Sequence, residues 1–271
     1  MNLEELNSLI SHARNNPPSD DPLAKFMQEF SKPDFEHERK LALFESYLQT
    51  LEGYLEQEVQ QAKDEIRQTE AKIDEEFEKL NQKVKAGLIS SEPNVVDRHQ
   101  EEILAQWKYE LQYADYWSDT MDEFADTLRK SFFINLYGFW EAQLFPLCKA
   151  LEPYENIPKV GNARNFGPDQ AKEFLGKINV PLGGGTAWCT IKNYRLLRNC
   201  LAHNNGEISR CKWQKEIESF IRTKKPALSI RGQIVVINKG FCEESLETIT
   251  QFFEDLRNAL TQWALSQTAR Q

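Results

Sequence analysis

Apolar residues recur at steps of three and four along two long stretches of the chain. The first stretch, residues 37–86, contains no proline and a single glycine, and the second begins near residue 95. This spacing is typical of amphipathic helices that pack along a coiled-coil-like seam. The predicted seam positions are Phe44, Leu48, Leu51, Leu55, Val59, Ala62, Ile66, Ile73, Phe77, Leu80 and Val84, with a polar step at Thr69, and then Val95, Ile103, Trp107, Leu111, Ala114, Trp117, Met121, Phe124 and Leu128.

The segment AGLISSEPN, residues 86–94, predicts a short turn between these helices, with Asn94 as an N-cap. Two long helices joined by a short turn pack antiparallel. A continuous helix over residues 37–86 would extend ~75 Å at ~1.5 Å per residue. The pattern therefore predicts a long helical hairpin, here called the arm.

After the arm, the pattern predicts further helices and one small hairpin. The second helix continues into the more uniformly apolar stretch 131–152, which favours a central position in a core. A loop-rich stretch at 152–185 includes the flexible PLGGG segment at 181–185. Helices are predicted at 168–177, 187–204, 211–223 and 242–265, and ALSIRGQIVVIN predicts a hairpin that turns at Arg231-Gly232. We expect an all-α protein with an irregular lead at 1–36, the arm at 37–118 and a domain at 119–271.

Charge is distributed unevenly along the chain. The net charge of −9 argues against a broad nucleic-acid-binding surface. Residues 186–235, however, carry ten Lys or Arg against three Glu, a net of +7, whereas residues 34–86 carry a net of −6. A local positive potential attracts a polyanion, although such a charge cluster is also compatible with a solvated helix face.

Cysteine and histidine usage predicts no metal site. The five cysteines form no C-x-x-C pair, and the four histidines are spread along the chain. We therefore interpret the cysteines as buried small hydrophobes in a reducing compartment. No apolar run of about 18 residues is present and the N-terminus does not have the pattern of a signal peptide, so we expect a cytoplasmic protein that does not enter a membrane.

The segment YRLLRNCLAHNNGEIS, residues 194–209, contains the candidate chemistry. Its apolar positions predict a helix, and the Asn-Asn-Gly sequence predicts the end of that helix. Arg198, Asn199 and His203 are therefore expected in its last turns. Asn199 and His203 are four residues apart on one face, so the amide can orient the imidazole. Arg198 and His203 are five apart, about 140° around the helix, so they converge only through distortion, a wrapped arginine or a second subunit.

This segment resembles the signature of the HEPN superfamily. The motif shares with that signature its R-x4-H spacing, the Asn directly after the Arg and the Ala-His-Asn ending. The rest of residues 119–271 adds the Trp140-Glu141 pair, the hairpin and the long final helix to the resemblance. The resemblance implies a HEPN-like helical bundle that dimerises, so that two motifs face one cleft. Many such domains are metal-independent ribonucleases in toxin–antitoxin, CRISPR-associated and anti-phage systems, and others are inactive.

Two features of the chain depart from that resemblance. Asn205 stands two residues after the histidine, where HEPN toxins paired with nucleotidyltransferase antitoxins have tyrosine, so that pairing is not implied. The arm lies outside the HEPN domain and gains no support from the likeness.

The residue types fit RNA cleavage without a metal or other cofactor. An imidazole with an ordinary pKa of about 6.5 can act as general acid or base near neutral pH. A guanidinium binds phosphate oxygens in a bidentate manner and keeps its charge. We expect 2′-hydroxyl attack to a 2′,3′-cyclic phosphate, with the catalytic residues Arg198, His203, Asn199 and Glu141, and with RNA-binding residues Arg195, Lys192, Arg210, Lys212 and Asn204.

Other interpretations of the same residues stay open. A helix-terminal histidine is commonly a cap or dipole partner, and Arg198 can be a purely structural partner of Glu141. The chain would then be an inactive HEPN adaptor that dimerises and docks a protein partner through the arm. Nucleotide binding has less support, because the GGG at 183–185 lacks the Lys-Ser/Thr of a phosphate loop. Tyr194 and Trp213 are candidates for base stacking or for the core, and Trp107, Trp117 and Trp188 are assigned to packing.

Overall fold

A computed structural model of the chain describes residues 36–152, 159–162, 164, 166–180 and 186–268. The predicted irregular lead, apart from its last residue, and the PLGGG segment at 181–185 lie outside the described residues. Helix α1 spans Glu36–Lys85 and helix α2 spans Pro93–Leu151. Both agree with the predicted long helices, and α2 continues through the apolar stretch after residue 131 without interruption, with Pro146 inside it.

The N-cap prediction for α2 is wrong. Pro93 is the first residue of the helix, so Asn94 already lies inside it. Proline suits this position because its fixed φ is helical and its missing N–H would have no helical partner. The carbonyl oxygen of Glu92 accepts the N–H groups of Val95 and Val96 at 3.0 and 3.2 Å.

Every predicted apolar seam position whose burial is described is buried or half-buried, with the exception of Phe124. Thr69, the polar step, is 6% exposed, and its hydroxyl donates to the carbonyl oxygen of Glu65 at 3.0 Å, so the seam contains no unsatisfied hydroxyl there. Phe124 departs from the prediction, since its side chain is 40% exposed while the neighbouring Ala125 is 5% exposed. The smaller side chain takes the inward position beside Leu51 and Leu55.

Two sets of contacts show that the paired helices are antiparallel. Leu51 and Leu55 of α1 cluster with Ala125 of α2, whereas the ammonium of Lys72 lies 5.2 Å from the ring centroid of Trp107. Partner numbers on α2 therefore fall as numbers on α1 rise. This pairing lies within one compact unit, Gln49–Leu128, which contains 20 Asp or Glu and 8 Lys or Arg, a net charge of −12.

The second compact unit contains the remaining elements, together with the described residues up to Leu48. Its interior is a single apolar cluster that includes Phe133, Leu136, Trp140, Tyr194 and Ile249. Its elements from residue 168 onward are α3 (Pro168–Lys177), α4 (Thr186–Asn204), a 3-10 turn (Ile208–Arg210), α5 (Gln214–Thr223), β1 (Leu228–Arg231), β2 (Ile234–Ile237) and α6 (Phe241–Thr268).

The two strands form an antiparallel hairpin in which Arg231 pairs with Ile234. The two-residue turn is therefore Gly232-Gln233, one residue later than predicted, and Gly232 has the positive φ of 64° that such turns require. The described residues are mostly helical and contain one small antiparallel sheet, which confirms the prediction of an all-α protein with a hairpin. The HEPN-like bundle and the domain limits at 36/37 and 118/119 stay predictions.

His37 is a titratable group inside the larger unit. Its side chain is 3% exposed and its ring stacks on Phe253 of α6, with centroids 4.8 Å apart. Burial lowers the pKa of His37 to about 4, and the nearby guanidinium of Arg257, which pairs with Glu38, acts in the same direction. The imidazole is therefore neutral in the folded protein at neutral pH.

This pKa predicts a loss of stability in mild acid. The pKa of His37 is about 4 in the folded protein and 6.5 in the unfolded chain. The stability that depends on a neutral His37 is therefore fully present above pH 6.5 and is lost as the pH falls toward 4. We expect His37 to remove up to about 3 kcal/mol from the free energy of unfolding over that range. Urea unfolding across this range should show a flatter pH profile for His37→Phe, which keeps a stacked ring. The same pH dependence of the free energy of unfolding in the wild type and in His37→Phe would contradict the lowered pKa of His37.

Candidate functional site

Helix α4 packs one face against the core, and the motif residues Arg198, Asn199 and His203 lie toward its C-terminal end. Tyr194 and Leu197 are fully buried, and the hydroxyl of Tyr194 lies 3.2 Å from the hydroxyl oxygen of Thr248 in α6. Tyr194 is therefore a core residue that cannot stack on a nucleotide base. Trp188 is likewise buried, as predicted, whereas Trp213 is 47% exposed.

The end of α4 is fixed by backbone bonds to the hairpin. Asn205 and Gly206 have φ values of 52° and 79°, the left-handed conformation that ends a helix, as the Asn-Asn-Gly sequence predicts. The Gly206 N–H donates to the Cys200 carbonyl at 3.1 Å, and its own carbonyl accepts the Val235 N–H at 2.9 Å. The last turn of α4, which includes His203, is therefore anchored to strand β2.

The side chain of Arg198 extends from α4 toward Tyr137 of α2. Its guanidinium carbon is 6.0 Å from the ring centroid of Tyr137, a cation–π distance, and its Nη1 donates to the side-chain oxygen of Asn199 at 3.0 Å. The side chain is half-buried, and its Nε is buried with no hydrogen-bond partner among the described residues. The guanidinium of Arg198 therefore contacts one aromatic ring and one side-chain amide.

His203 and Asn199 are not joined by a hydrogen bond within the described part of the chain. The amide oxygen of Asn199 accepts from Arg198, whereas His203 is exposed in the last turn of α4. The imidazole is thus open to solvent at the helix end. The predicted orientation of His203 by Asn199 stays a prediction.

Glu141 lies one helical turn after Tyr137 on α2, and its side chain is half-buried. No ion pair or hydrogen bond links it to Arg198 or His203 among the described residues, but its charge acts on both Tyr137 and Arg195. Burial raises the pKa of Tyr137 well above its ordinary value, and Glu141 acts in the same direction, while Arg195 and Arg198 oppose it. Tyr137 is therefore a neutral phenol.

Tyr137 is a site residue that was not predicted from the sequence. The predicted aromatic neighbour of Glu141 was the adjacent Trp140, but Trp140 packs on Trp188 and Phe252, with ring centroids 6.1 and 5.5 Å apart. Tyr137 is the aromatic residue that the guanidinium of Arg198 approaches. The four-residue spacing between Tyr137 and Glu141 places both on one helix face and was the available signal.

The five residues predicted to bind RNA differ in their availability. Arg195 is paired with Asp169 of α3 at 2.8 Å, and Arg210 with Glu207 at 2.7 Å. Lys212 lies over the ring of Trp213 at 5.0 Å, and the side-chain amide of Asn204 donates to the sulfur of Cys211 at 3.4 Å. Lys192 is exposed. The positive surface near the motif is therefore smaller than the charge count indicates.

The described residues contain no group of three or more His, Cys, Asp or Glu side chains that could hold a metal ion. None of the described helices combines the length and the apolar character that a membrane span requires. Comparison of the chain with models of known protein families, with curated proteins and with solved structures finds no match. The HEPN resemblance therefore depends on the residues of this chain alone.

Proposed function

We propose that the chain is a metal-independent endoribonuclease of the HEPN type that acts as a homodimer. The observation that supports it most is the guanidinium of Arg198, which contacts Tyr137 and Asn199 near the same helix end that exposes the imidazole of His203. A permanent cation for the phosphate and a titratable group for proton transfer are the two requirements of this reaction.

A second copy would complete the site. Arg198 and His203 lie about 140° apart around α4, so a single helix does not direct both at one phosphate. His203 is exposed and free to meet the motif of a symmetry-related partner. In such a cleft the guanidinium would come from one protomer and the imidazole from the other.

The proposed reaction uses only groups of this chain and of the RNA. O2′ attacks the adjacent phosphorus, the bond to O5′ breaks, and the products are a 2′,3′-cyclic phosphate and a 5′-hydroxyl end. His203 takes the proton of the 2′-hydroxyl as general base, and the resulting imidazolium delivers that proton to O5′ as general acid. Arg198 binds the phosphate oxygens and stabilises the charge of the phosphorane, and Asn199 positions the guanidinium through its hydrogen bond. The positioning role that we propose for Glu141 is exerted through Tyr137, on which its charge acts.

The test is incubation of the purified protein with single-stranded and looped RNA in EDTA, followed by analysis of the new ends. We expect cleavage with cyclic phosphate ends and no response to added Mg²⁺. Activity that requires a divalent metal, or that persists when both Arg198 and His203 are replaced by alanine, would refute the proposal. The toxin or anti-phage setting that we propose rests on the resemblance only, whereas the proposed cytoplasmic location rests on the composition of the chain.

The ion pair between Arg195 and Asp169 yields a prediction for RNA affinity. Both side chains are largely exposed, so the pair contributes about 0–1 kcal/mol to stability. Asp169→Asn frees the guanidinium and removes a repulsive charge, and we expect tighter RNA binding with a salt slope steeper by about 0.7. Glu173→Gln on the same helix, where Glu173 pairs with Lys177, is the matched control. Equal salt slopes in the two variants would exclude Arg195 from the RNA interface.

A second candidate function is an inactive HEPN adaptor that docks a protein through the arm. It is favoured by an exposed aromatic stripe on α2, where Tyr109, Tyr113 and Tyr116 are 77%, 55% and 67% exposed at helical spacing. Under this alternative, Tyr109→Ala with Tyr113→Ala abolishes function in cells, while His203→Ala does not. The ribonuclease proposal expects the opposite for His203.

A further inference from the structure

The thiols of Cys200 and Cys211 meet at the end of the motif helix. Cys200 lies on α4 beside Asn199 and is 1% exposed, whereas Cys211 directly follows the 3-10 turn and is partly accessible. Both are free thiols. Cys200 lies one helical turn before Asn204, whose side-chain amide reaches the Cys211 sulfur, and Cys211 packs against the apolar cluster that contains Cys200. A side-chain hydrogen bond between the two cysteines also contributes to the raised pKa of Cys200. The Cys211 sulfur also accepts the Asn204 amide and donates to the Glu207 carbonyl, each at 3.4 Å.

We propose that Cys200 and Cys211 form an oxidation site, in which hydrogen peroxide converts the thiol pair into a disulfide that closes a loop containing His203 and the end of α4. This inference does not depend on RNA cleavage. It rests on two thiols that the fold brings to the same face of α4, beside Asn204, although ten residues separate them in sequence. Those ten residues include His203 and the Asn-Asn-Gly helix end.

The exposure of the two sulfurs assigns their roles. Cys211 is the thiol that a peroxide in solution reaches, and the Asn204 N–H can stabilise negative charge on its sulfur. The Cys211 thiol attacks the peroxide O–O bond, which gives a sulfenic acid and water. The Cys200 sulfur then attacks the Cys211 sulfur, the S–S bond forms, and the hydroxyl of the sulfenic acid leaves as a second water with the Cys200 proton.

The attack of the Cys200 sulfur on the sulfenic acid of Cys211 is expected to depend on pH. Burial, together with the hydrogen bond to Cys211, raises the pKa of Cys200 to about 12, while Lys130 opposes this shift. Only the thiolate is a strong nucleophile, so closure of the disulfide should accelerate as pH rises above neutrality. At lower pH the sulfenic acid on Cys211 should persist long enough to be trapped by dimedone.

The disulfide would join the last turns of α4 to the segment that follows it. The chain between the two cysteines becomes a closed loop, which restricts local opening of residues 203–206. In the oxidised protein we therefore expect slower amide hydrogen exchange at these residues, reversed by dithiothreitol.

The experiment treats the full chain with hydrogen peroxide and maps tryptic peptides without reduction. Cleavage after Arg198, Arg210 and Lys212 should release residues 199–210 linked to the dipeptide 211–212. We expect this species in the wild type and in the control Cys189→Ser, which removes an exposed thiol, and its absence in Cys211→Ser.

Cys200→Ala tests the assigned order, since a buried alanine preserves packing better than a polar replacement. In this variant dimedone should label Cys211 persistently. Over-oxidation of Cys211 in the wild type without the cross-link, or disulfides only between separate chains, would overturn the proposal. So would unchanged hydrogen exchange at residues 203–206 in fully cross-linked protein.

Discussion

His203→Ala is expected to reduce the rate of RNA cleavage about 10²–10⁴-fold, the range measured for loss of a general acid or base. His203 is exposed and makes no hydrogen bond among the described residues, so its removal should change the free energy of unfolding by less than about 0.5 kcal/mol. The decrease should appear in kcat rather than KM, because the proton moves in the transition state. His203→Gln, which keeps a polar side chain, should be equally inactive.

Replacement of Arg198 distinguishes charge from geometry. Arg198→Ala should reduce kcat about 10²–10³-fold through lost phosphorane stabilisation. Arg198→Lys keeps the positive charge but loses the planar fork that Tyr137 and Asn199 hold, so we expect it to recover only part of the activity. Lys192→Ala is the matched control, since this exposed cation should affect RNA affinity alone.

Mixing the two inactive alanine variants tests the composite cleft. If Arg198 of one protomer acts with His203 of the other, each heterodimer regains one intact site, and random assortment restores about a quarter of wild-type activity. If both groups act from the same protomer, the mixture stays inactive. That outcome, with dimers verified by mass, would contradict the shared site.

Trp140→Ala is expected to lower the free energy of unfolding by about 3–5 kcal/mol. Trp140 is 1% exposed and packs against Tyr137, Trp188 and Phe252, so it joins α2 to α4 and α6. Truncation leaves a cavity that the surrounding rings cannot fill. Urea unfolding at neutral pH measures the change.

Trp140→Phe is the companion variant if the alanine variant does not fold. The indole N–H of Trp140 has no hydrogen-bond partner among the described residues, so phenylalanine loses volume but no hydrogen bond, and we expect a decrease of about 1–2 kcal/mol. Tyr109→Ala removes an aromatic side chain that is 77% exposed and should have almost no effect. A loss below about 1 kcal/mol for Trp140→Ala would contradict the packing described.

Part of the candidate site follows from the sequence. The ends of α3 and α4 were predictable to within one residue, because a proline at the first position and an Asn-Asn-Gly ending act through local backbone conformation. The helix end that presents His203 was predictable for the same reason. The aromatic partner of Arg198 and the acidic partner of Arg195 were not predictable, since Tyr137 and Asp169 come from other helices.

The sequence by itself determined the long helices, the hairpin and the position of the motif on α4, because these depend on residues within a few positions of one another. The tertiary structure decided that Ala125 rather than Phe124 is inward and that Tyr137 rather than Trp140 contacts the guanidinium. It also decided that Cys189 is exposed, contrary to the prediction that every cysteine is buried, and that Cys200 meets Cys211. These outcomes depend on which surfaces pack together, and periodicity along one chain contains no information about the partner across a packed interface.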